Sequence, residues 1–453
     1  MFFGTDGIRG KALYFFDDNL AYRVGRALVG RRAGRKKVVI ARDTRLSGEK
    51  IEAEVIRGLS EYDSEVYDLG IMPTMAVSNI LKQINADYGV MISASHNPPE
   101  YNGIKIFDRT GQKLSLEEEK DIENALISPC GVQKNIANER VAPKEGRIIE
   151  YTKAREMYSS FLLKRCAVKL DGCKIKLDCC FGACAKIAPA IFAEAGAEVI
   201  KLADEYDGSL INVETGSTNI DFLKANMNGG DYIGFAFDGD GDRMLAATPD
   251  GFIIDGDRVL YILTLYFKKL GILKNNAVVG TLMTNYGFEK ALNEIGVELI
   301  RVDVGDKYVI ERMNKGGYVL GGETSGHIII NENGDGETGD GILAALMLTK
   351  ALRELRINMN EVPTLYFAYP QKTVNIKASD NEKARLLCVT ELKTAEELCR
   401  EKIKGRGRVL IRPSGTEDKI RITAEGDSEE IVDEVLKIME TAYSDALKEI
   451  NRK

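Results

Sequence analysis

Apolar positions along this chain fall into short runs, separated by stretches in which they recur every third or fourth residue. The runs KKVVIARD (36–43), Glu65–Leu69, Tyr88–Ser93, KIKLDC (174–179), AEVIKL (197–202), DYIGFAF (231–237), AVVGTL (277–282) and ELIRV (298–302) read as strands. Helices are predicted near Leu20–Leu28 and over 49–60, 74–84 and 183–195. Ser115, with Glu118 three residues on, forms a capping box that opens a helix to about Leu126. This alternation predicts α/β domains on parallel or mixed sheets covered on both faces. The last ninety or so residues read differently. Strands YPQKTVNI (369–376), RVLIRPS (408–414) and KIRITAEG (419–426) flank helices near 381–402 and 428–448, a smaller α+β domain. Polar segments around 130–148, near 245 and near 357–363 are the candidate linkers.

Three apolar strands run straight into short polar loops: GVMISASHNP (89–98), YIGFAFDGDGDR (232–243) and GYVLGGETSGH (317–327). Open α/β sheets bind ligands at the carboxyl ends of their strands. Each loop is therefore expected to follow from a βα segment and to face a common site.

Length and composition bound the answer. A chain of 453 residues suggests three domains, with two to four plausible. With 44% apolar and 29% charged residues it has the makeup of a globular protein. The net charge of −7 gives no reason to expect nucleic acid or an anionic membrane as partner, so an anionic ligand needs local cations. No apolar run reaches the ~18 residues that span a bilayer. The start, MFFGTDGIRGKA, lacks signal-peptide features, so a cytosolic location is expected. In that reducing compartment the eight cysteines (Cys130, Cys166, Cys173, Cys179, Cys180, Cys184, Cys388 and Cys399) are expected to be free thiols. With no paired CxxC they suggest packing, not zinc.

In FDGDGDR (237–243), Asp238, Asp240 and Asp242 alternate with glycines directly behind an apolar strand. The glycines allow a tight turn that converges three carboxylates, and such a cluster calls for a hard divalent cation. The spacing excludes an EF-hand, since Arg243 and Pro249 stand where its Gly and Glu belong. In SASHNPPEYNGIK (93–105), Ser95 is a candidate nucleophile or phosphoryl carrier beside His96, and GxSxG is absent. Both histidines of the chain, His96 and His327, lie in these strand-end loops. Lys105 is expected to carry a proton if nearby cations lower its pKa. GGETSGH (321–327) offers Glu323 and Ser325 for sugar hydroxyls. RPSGTEDKIR (412–421) offers Arg412, Ser414, Gly415, Thr416 and Arg421 as a phosphate cradle. GDGETG (334–339) fits GxGxxG, but its acidic residues would repel a pyrophosphate. GTDGIRGK (4–11) fails as a P-loop at Thr5 and Ala12.

Taken in order, FGTDGIRG (3–10), ARDTRLSG (41–48), SASHNP (93–98), DGDGDR (238–243), GGETSGH (321–327) and RPSGTE (412–417) resemble the signature elements of the α-D-phosphohexomutase superfamily. The resemblance implies three similar α/β domains and a smaller C-terminal one around a central cleft, with boundaries at 1–148, 149–246, 247–360 and 361–453. It implies a phosphoserine at Ser95 and Mg²⁺ held by Ser95, Asp238, Asp240 and Asp242. Arg9 and Arg243 would position the phosphoryl group, and Lys105, His96 and His327 would serve catalysis and proton transfer. Glu323, Ser325 and Lys307 would contact substrate, and the 412–421 loop the non-transferring phosphate. The substrate would be a small hexose phosphate, with a hexose 1,6-bisphosphate as intermediate and activator, a C-terminal domain that closes over ligand, and a possible homodimer. Within the superfamily, VGDKYV (304–309), TNYGF (284–288) and ETGDGILAAL (337–346) are similar to the glucosamine-phosphate branch. PPEYNGIK (98–105) is similar to the mannose- and glucose-phosphate branch, and Thr324 stands where the glucosamine enzymes usually carry Gln or Asn.

Overall fold

The computed structural model describes residues 2–4, 6–16, 19–30, 34–127, 146–332, 338–386, 388–414 and 418–452. Gly415 and Thr416 of the expected phosphate loop, Cys130, most of the 130–148 linker and most of GDGETG lie outside them. Packing divides the chain into a larger unit, residues 1–283 and 299–363, and a smaller one, residues 284–298 and 364–453.

The larger unit holds three sheets. The first contains Phe3–Gly4 (β1), Gly7–Lys11 (β2), Lys36–Arg42 (β3), Ser64–Ile71 (β4), Tyr88–Ile92 (β5), Tyr101–Phe107 (β6) and Arg147–Glu150 (β7), in the order β1-β2-β6-β5-β3-β4-β7. The second contains Lys174–Asp178 (β8), Glu198–Leu202 (β9), Tyr232–Phe237 (β10), Met244–Ala247 (β11) and Ile253–Ile254 (β12), ordered β12-β11-β10-β8-β9. The third, ordered β14-β13-β15-β16, contains Ala277–Thr281 (β13), Glu298–Val302 (β14), Leu320–Gly322 (β15) and Ile328–Ile330 (β16). In the smaller unit, Gln371–Lys377 (β17), Gly407–Pro413 (β18) and Lys419–Gly426 (β19) form an antiparallel sheet ordered β17-β19-β18. It packs on the amphipathic helix Glu429–Arg452, which buries Ile431, Val435 and Met439.

The strands follow the apolar runs closely because each central strand is buried on both faces: β5, YGVMI, and β13, AVVGT, are buried at every position. The capping box forms, with the Ser115 N–H donating to Glu118 at 3.1 Å and the Glu118 N–H to Ser115 Oγ at 3.3 Å, ahead of the helix Leu116–Ile127. Two helices differ from expectation. The one expected over 183–195 spans only Ala188–Glu194. Pro189 suits a helix start, and the Ala183 N–H upstream is spent on the Gly239 carbonyl at 2.8 Å, so this segment backs the 238–243 loop. The segment 381–402 is two helices, Asp380–Leu386 and Thr390–Ile403, with an extended Val389 between them.

A larger correction concerns the three polar loops, none of which leads into a helix. Residues 93–100 join β5 to antiparallel β6, residues 238–243 join β10 to antiparallel β11, and residues 323–327 join β15 to antiparallel β16. All three are hairpin loops, set where a parallel strand gains an antiparallel neighbour. The ladder pairs Phe237↔Met244 and Gly322↔Ile328 pin both ends of the latter two.

A buried arginine shapes the first loop. Arg45 is fully buried, with Nε 2.9 Å from Asp43 Oδ2. Its terminal nitrogens donate to the carbonyls of Ser95 (2.9 Å), Asn97 (2.8 Å), Pro98 (2.5 Å) and Tyr101 (2.9 Å). One planar guanidinium thus bonds three carbonyls of the loop and that of Tyr101 at the start of β6. Asp43 accepts from Ser93 Oγ at 2.6 Å, and Ser93 Oγ accepts the Ser95 N–H at 2.8 Å. Replacing Arg45 with Met leaves Asp43 as a buried uncompensated carboxylate and removes one donor from each of four carbonyls. Urea denaturation should show a loss of about 3–5 kcal/mol; a loss under about 1 kcal/mol would contradict this account of the loop.

Candidate active site

Ser95 is buried and left-handed (φ 53°), an unusual conformation for a residue with a Cβ, held by the contacts just described. Asn212 adds a hydrogen bond to the Ser95 carbonyl at 2.8 Å. The backbone turn presents the Ser95 hydroxyl to the second hairpin, where it donates to Asp238 Oδ2 at 2.7 Å. His96 Nδ1 lies 3.3 Å from the same hydroxyl. Burial and then the charges of Arg243 and Arg9 push the His96 imidazole down to about 4, so it is neutral at physiological pH.

Close approach of the two hairpins requires glycine. A Cβ on Gly239 would lie 2.7 Å from the Ser95 carbonyl oxygen, and one on Gly241 (φ 71°) would lie 2.4 Å from Cys184 Sγ. The tight turn brings one carboxylate oxygen each from Asp238, Asp240 and Asp242 within 4.8 Å of one another, all buried. Asp240 Oδ1 and Asp242 Oδ1 are buried without a hydrogen-bond partner. An all-oxygen donor set with orphaned lone pairs fits a hard divalent cation. Burial, and then the charges of Asp242 and Asp240, raise the Asp238 carboxyl well above the ordinary range.

Lys105, on β6, projects into this cluster. Its ammonium is 2.7 Å from Asp240 Oδ2, 2.8 Å from Asp242 Oδ2 and 3.0 Å from Asp6 Oδ2. Burial opposes the charge, but the three carboxylates outweigh it and hold the pKa well above 10.5. The expectation that nearby cations lower it is therefore corrected: its neighbours are anions, and Lys105 is an ammonium ion here. Thr74 Oγ1 donates to Asp240 Oδ2 at 2.6 Å. Arg9 pairs with Asp6 and lies 3.3 Å from Asn97 Oδ1, and the Arg243 N–H donates to Asp238 Oδ1 at 3.1 Å.

The third hairpin rests on the second through the Met244 N–H, 3.0 Å from the Gly326 carbonyl. This sets buried His327 with Nδ1 3.7 Å from Asp242 Oδ1 and Nε2 3.5 Å from Asp306 Oδ2. Burial opposes its protonation, but these carboxylates raise its pKa above 6.5. Glu323 Oε1 accepts the Gly305 N–H at 3.0 Å, and the exposed Ser325 lies 3.4 Å from Glu323 Oε2. Lys307 pairs with Glu119 at 2.9 Å.

The structure thus gathers Ser95, His96, Lys105, Arg9, Arg243, His327 and the three aspartates into one contact network. In the smaller unit, Arg412 on β18 and Arg421 on β19 are direct cross-strand partners. Two guanidinium groups side by side offer the planar, multiple N–H donors that suit a phosphate. The Ser414 N–H, donating to the Lys419 carbonyl at 2.9 Å, closes the strand ends beside them. Asp6, Asp43, Arg45, Thr74 and Asn212 escaped the reading of single loops. The available signal for Asp6, Asp43 and Arg45 was their place inside the two motifs FGTDGIRG and ARDTRLSG; Thr74 and Asn212 carried none.

Comparison with known proteins fits this arrangement. Phosphoglucomutase/phosphomannomutase profiles match in order: alpha/beta/alpha domain I over residues 1–128, domain II over 155–251, domain III over 255–367 and the C-terminal domain over 374–442. A phosphoglucosamine mutase from Thermoanaerobacter sp. (strain X514) is 43% identical over 440 residues, covering 96% of this chain and 97% of the relative. A phosphoglucomutase/phosphomannomutase family protein from Burkholderia thailandensis superposes with a TM-score of 0.78 at 23% identity, over 98% of this chain and 97% of that one. An Aspergillus fumigatus N-acetylphosphoglucosamine mutase in complex with GlcNAc-6P and magnesium gives a TM-score of 0.67 at 17% identity, over 98% and 96% of the two chains. Matched along nearly its whole length, this chain belongs to the phosphoglucomutase/phosphomannomutase family.

Proposed function

We propose that the protein interconverts glucosamine 6-phosphate and glucosamine 1-phosphate through a phosphoserine at Ser95 and a 1,6-bisphosphate intermediate. The observation that carries this reading is the Ser95 hydroxyl, 2.7 Å from Asp238 within a buried three-aspartate cluster. The full-length identity to a phosphoglucosamine mutase supports the amino sugar as substrate. In this reading the four domains run 1–148, 149–246, 247–360 and 361–453, and the enzyme works in the cytosol. No helix among the described residues is long and apolar enough to cross a membrane.

Asp238, Asp240 and Asp242, with Ser95, would hold Mg²⁺, which when bound neutralises charge on the phosphoryl oxygens. The remaining chemistry belongs to the chain. Arg9 and Arg243 balance the negative charge of the phosphoryl group on Ser95. As that group passes to the free hydroxyl of the sugar, His327 takes the hydroxyl proton, and the carboxylates of Asp242 and Asp306 beside its two ring nitrogens stabilise the imidazolium that forms. Lys105, already an ammonium, supplies the proton that the Ser95 oxygen needs as the bond to phosphorus breaks. His96, neutral beside the hydroxyl, adds no positive charge that would compete with the arginines. Glu323 and Ser325 read the sugar. Arg412, Ser414, Gly415, Thr416 and Arg421 hold the phosphate that is not being transferred. Since the bisphosphate must present either end to Ser95, this cradle recognises phosphate and not a particular hydroxyl.

A coupled assay with Mg²⁺, a trace of hexose 1,6-bisphosphate and purified enzyme tests the assignment. Glucosamine 6-phosphate should be strongly preferred over glucose and mannose 1-phosphates; the reverse order would keep the chemistry and discard the amino sugar. Ser95→Ala should lose at least about a thousandfold in kcat while still binding sugar phosphate, and near-normal turnover would rule Ser95 out as the carrier. Chelation should abolish turnover and added Mg²⁺ restore it, whereas Asp240→Asn should resist restoration at the same Mg²⁺ concentration. Arg421→Gln should raise KM at least about tenfold with a smaller change in kcat; an unchanged KM would remove it from the phosphate cradle.

A further inference from the structure

The site has a second layer of charge that the reaction does not use directly. Lys113 follows the turn after β6, bridged to Phe107. Its side chain is 12% exposed, and its ammonium pairs with both Asp6 and Asp306. Asp6 in turn holds Lys105 and Arg9. Asp306 opens the helix Asp306–Gly316 and places Oδ2 3.5 Å from His327 Nε2. Its chain neighbour Gly305 donates to Glu323. An alternating series of charges therefore runs from Asp306 through Lys113, Asp6 and Lys105 to Asp240 and Asp242. Two further contacts lie along the same seam: Lys307 with Glu119, and Asn314 Nδ2 with Gln112 Oε1 at 3.0 Å.

We infer that Lys113 and Asp306 are positioning residues, which lock His327 and the sugar-reading loop to the segment that carries Lys105 and Arg9. The inference rests on the mutase reading for its kinetic consequences and on geometry alone for its structural ones. Without the Lys113 ammonium, Asp6 and Asp306 become two nearly buried carboxylates that repel each other. Asp306 then withdraws from His327, Gly305 from Glu323, and Asp6 from Arg9 and Lys105. A displacement of this kind costs alignment of the reacting groups more than it costs grip on the phosphate.

The chain has only two histidines, so their imidazole nitrogens are separately visible by NMR of protein labelled at histidine with ¹⁵N. Lys113→Met and Asp306→Asn should each shift the His327 resonances and leave those of His96 in place. In the same preparations kcat should fall about 10–100-fold, with KM for the sugar phosphate changing less than about threefold. Lys113→Arg should restore most of the rate. The double variant, which removes the cation and one carboxylate together, should be less impaired than the product of the single effects. Unchanged His327 resonances together with kcat within about twofold of wild type, in either well-folded single variant, would overturn the inference. A lowered melting temperature alone would not support it. Wild-type enzyme inactive on every hexose phosphate would instead sink the mutase reading, and the His327 resonances would still decide the positioning role.

Discussion

The structure depends on balancing charge where water is scarce. Asp238, Asp240 and Asp242 lie within 5% exposure, as does Lys105, and Asp6, Arg9, Arg243 and His327 crowd around them. Three converging carboxylates repel one another strongly in such surroundings. Lys105 relieves part of the repulsion by meeting two of the aspartates at once. The orphaned oxygens of Asp240 and Asp242 mark what one ammonium leaves unsatisfied. A divalent cation completes the balance, and the phosphoryl group arrives between that cation and the arginines. Substrate, metal and protein are parts of one electrostatic account.

That account holds only if the backbone is stiff enough to keep like charges together. Three hairpin loops provide the stiffness. Each is tied at its base to a sheet, and each leans on the next: the Ser95 carbonyl against Gly239 and Met244 against the Gly326 carbonyl, while the N–H of Gly341, which opens the helix Gly341–Leu355, adds a hydrogen bond to the Gly241 carbonyl at 2.9 Å. Arg45 performs the same service inside the first loop, tying three loop carbonyls, that of Tyr101 on β6 and one aspartate into a single cluster. Such clusters are costly to break and therefore define one geometry. The left-handed backbone at Ser95 is the local strain that this support sustains.

Protonation follows from position. His96 and His327 have the same side chain, yet one is driven down to about 4 by burial and arginines, and the other is raised by carboxylates on both sides. Lys105 and Asp238 show the same dependence on neighbours. A residue type names what a group can do, and the charges around it select which form is present.

Sequence alone determined much of this protein. Buried strands such as YGVMI and AVVGT announce themselves because both of their faces need apolar side chains. Ser95, the DGDGD turn, the GETSGH loop and the paired arginines were legible because their chemistry lies in short contiguous stretches whose glycines and prolines dictate local shape. What only tertiary structure decided is long-range. Short strands such as MLAA and III carry too little pattern to reveal an antiparallel partner, so the hairpin character of the loops stayed hidden. The role of Arg45 depends on carbonyls about fifty residues away, and that of Lys113 on carboxylates more than a hundred residues away on either side. The charge state of Lys105 stayed hidden for the same reason: its three carboxylate neighbours come from two distant segments, and Coulomb energy depends on distance in space and not along the chain.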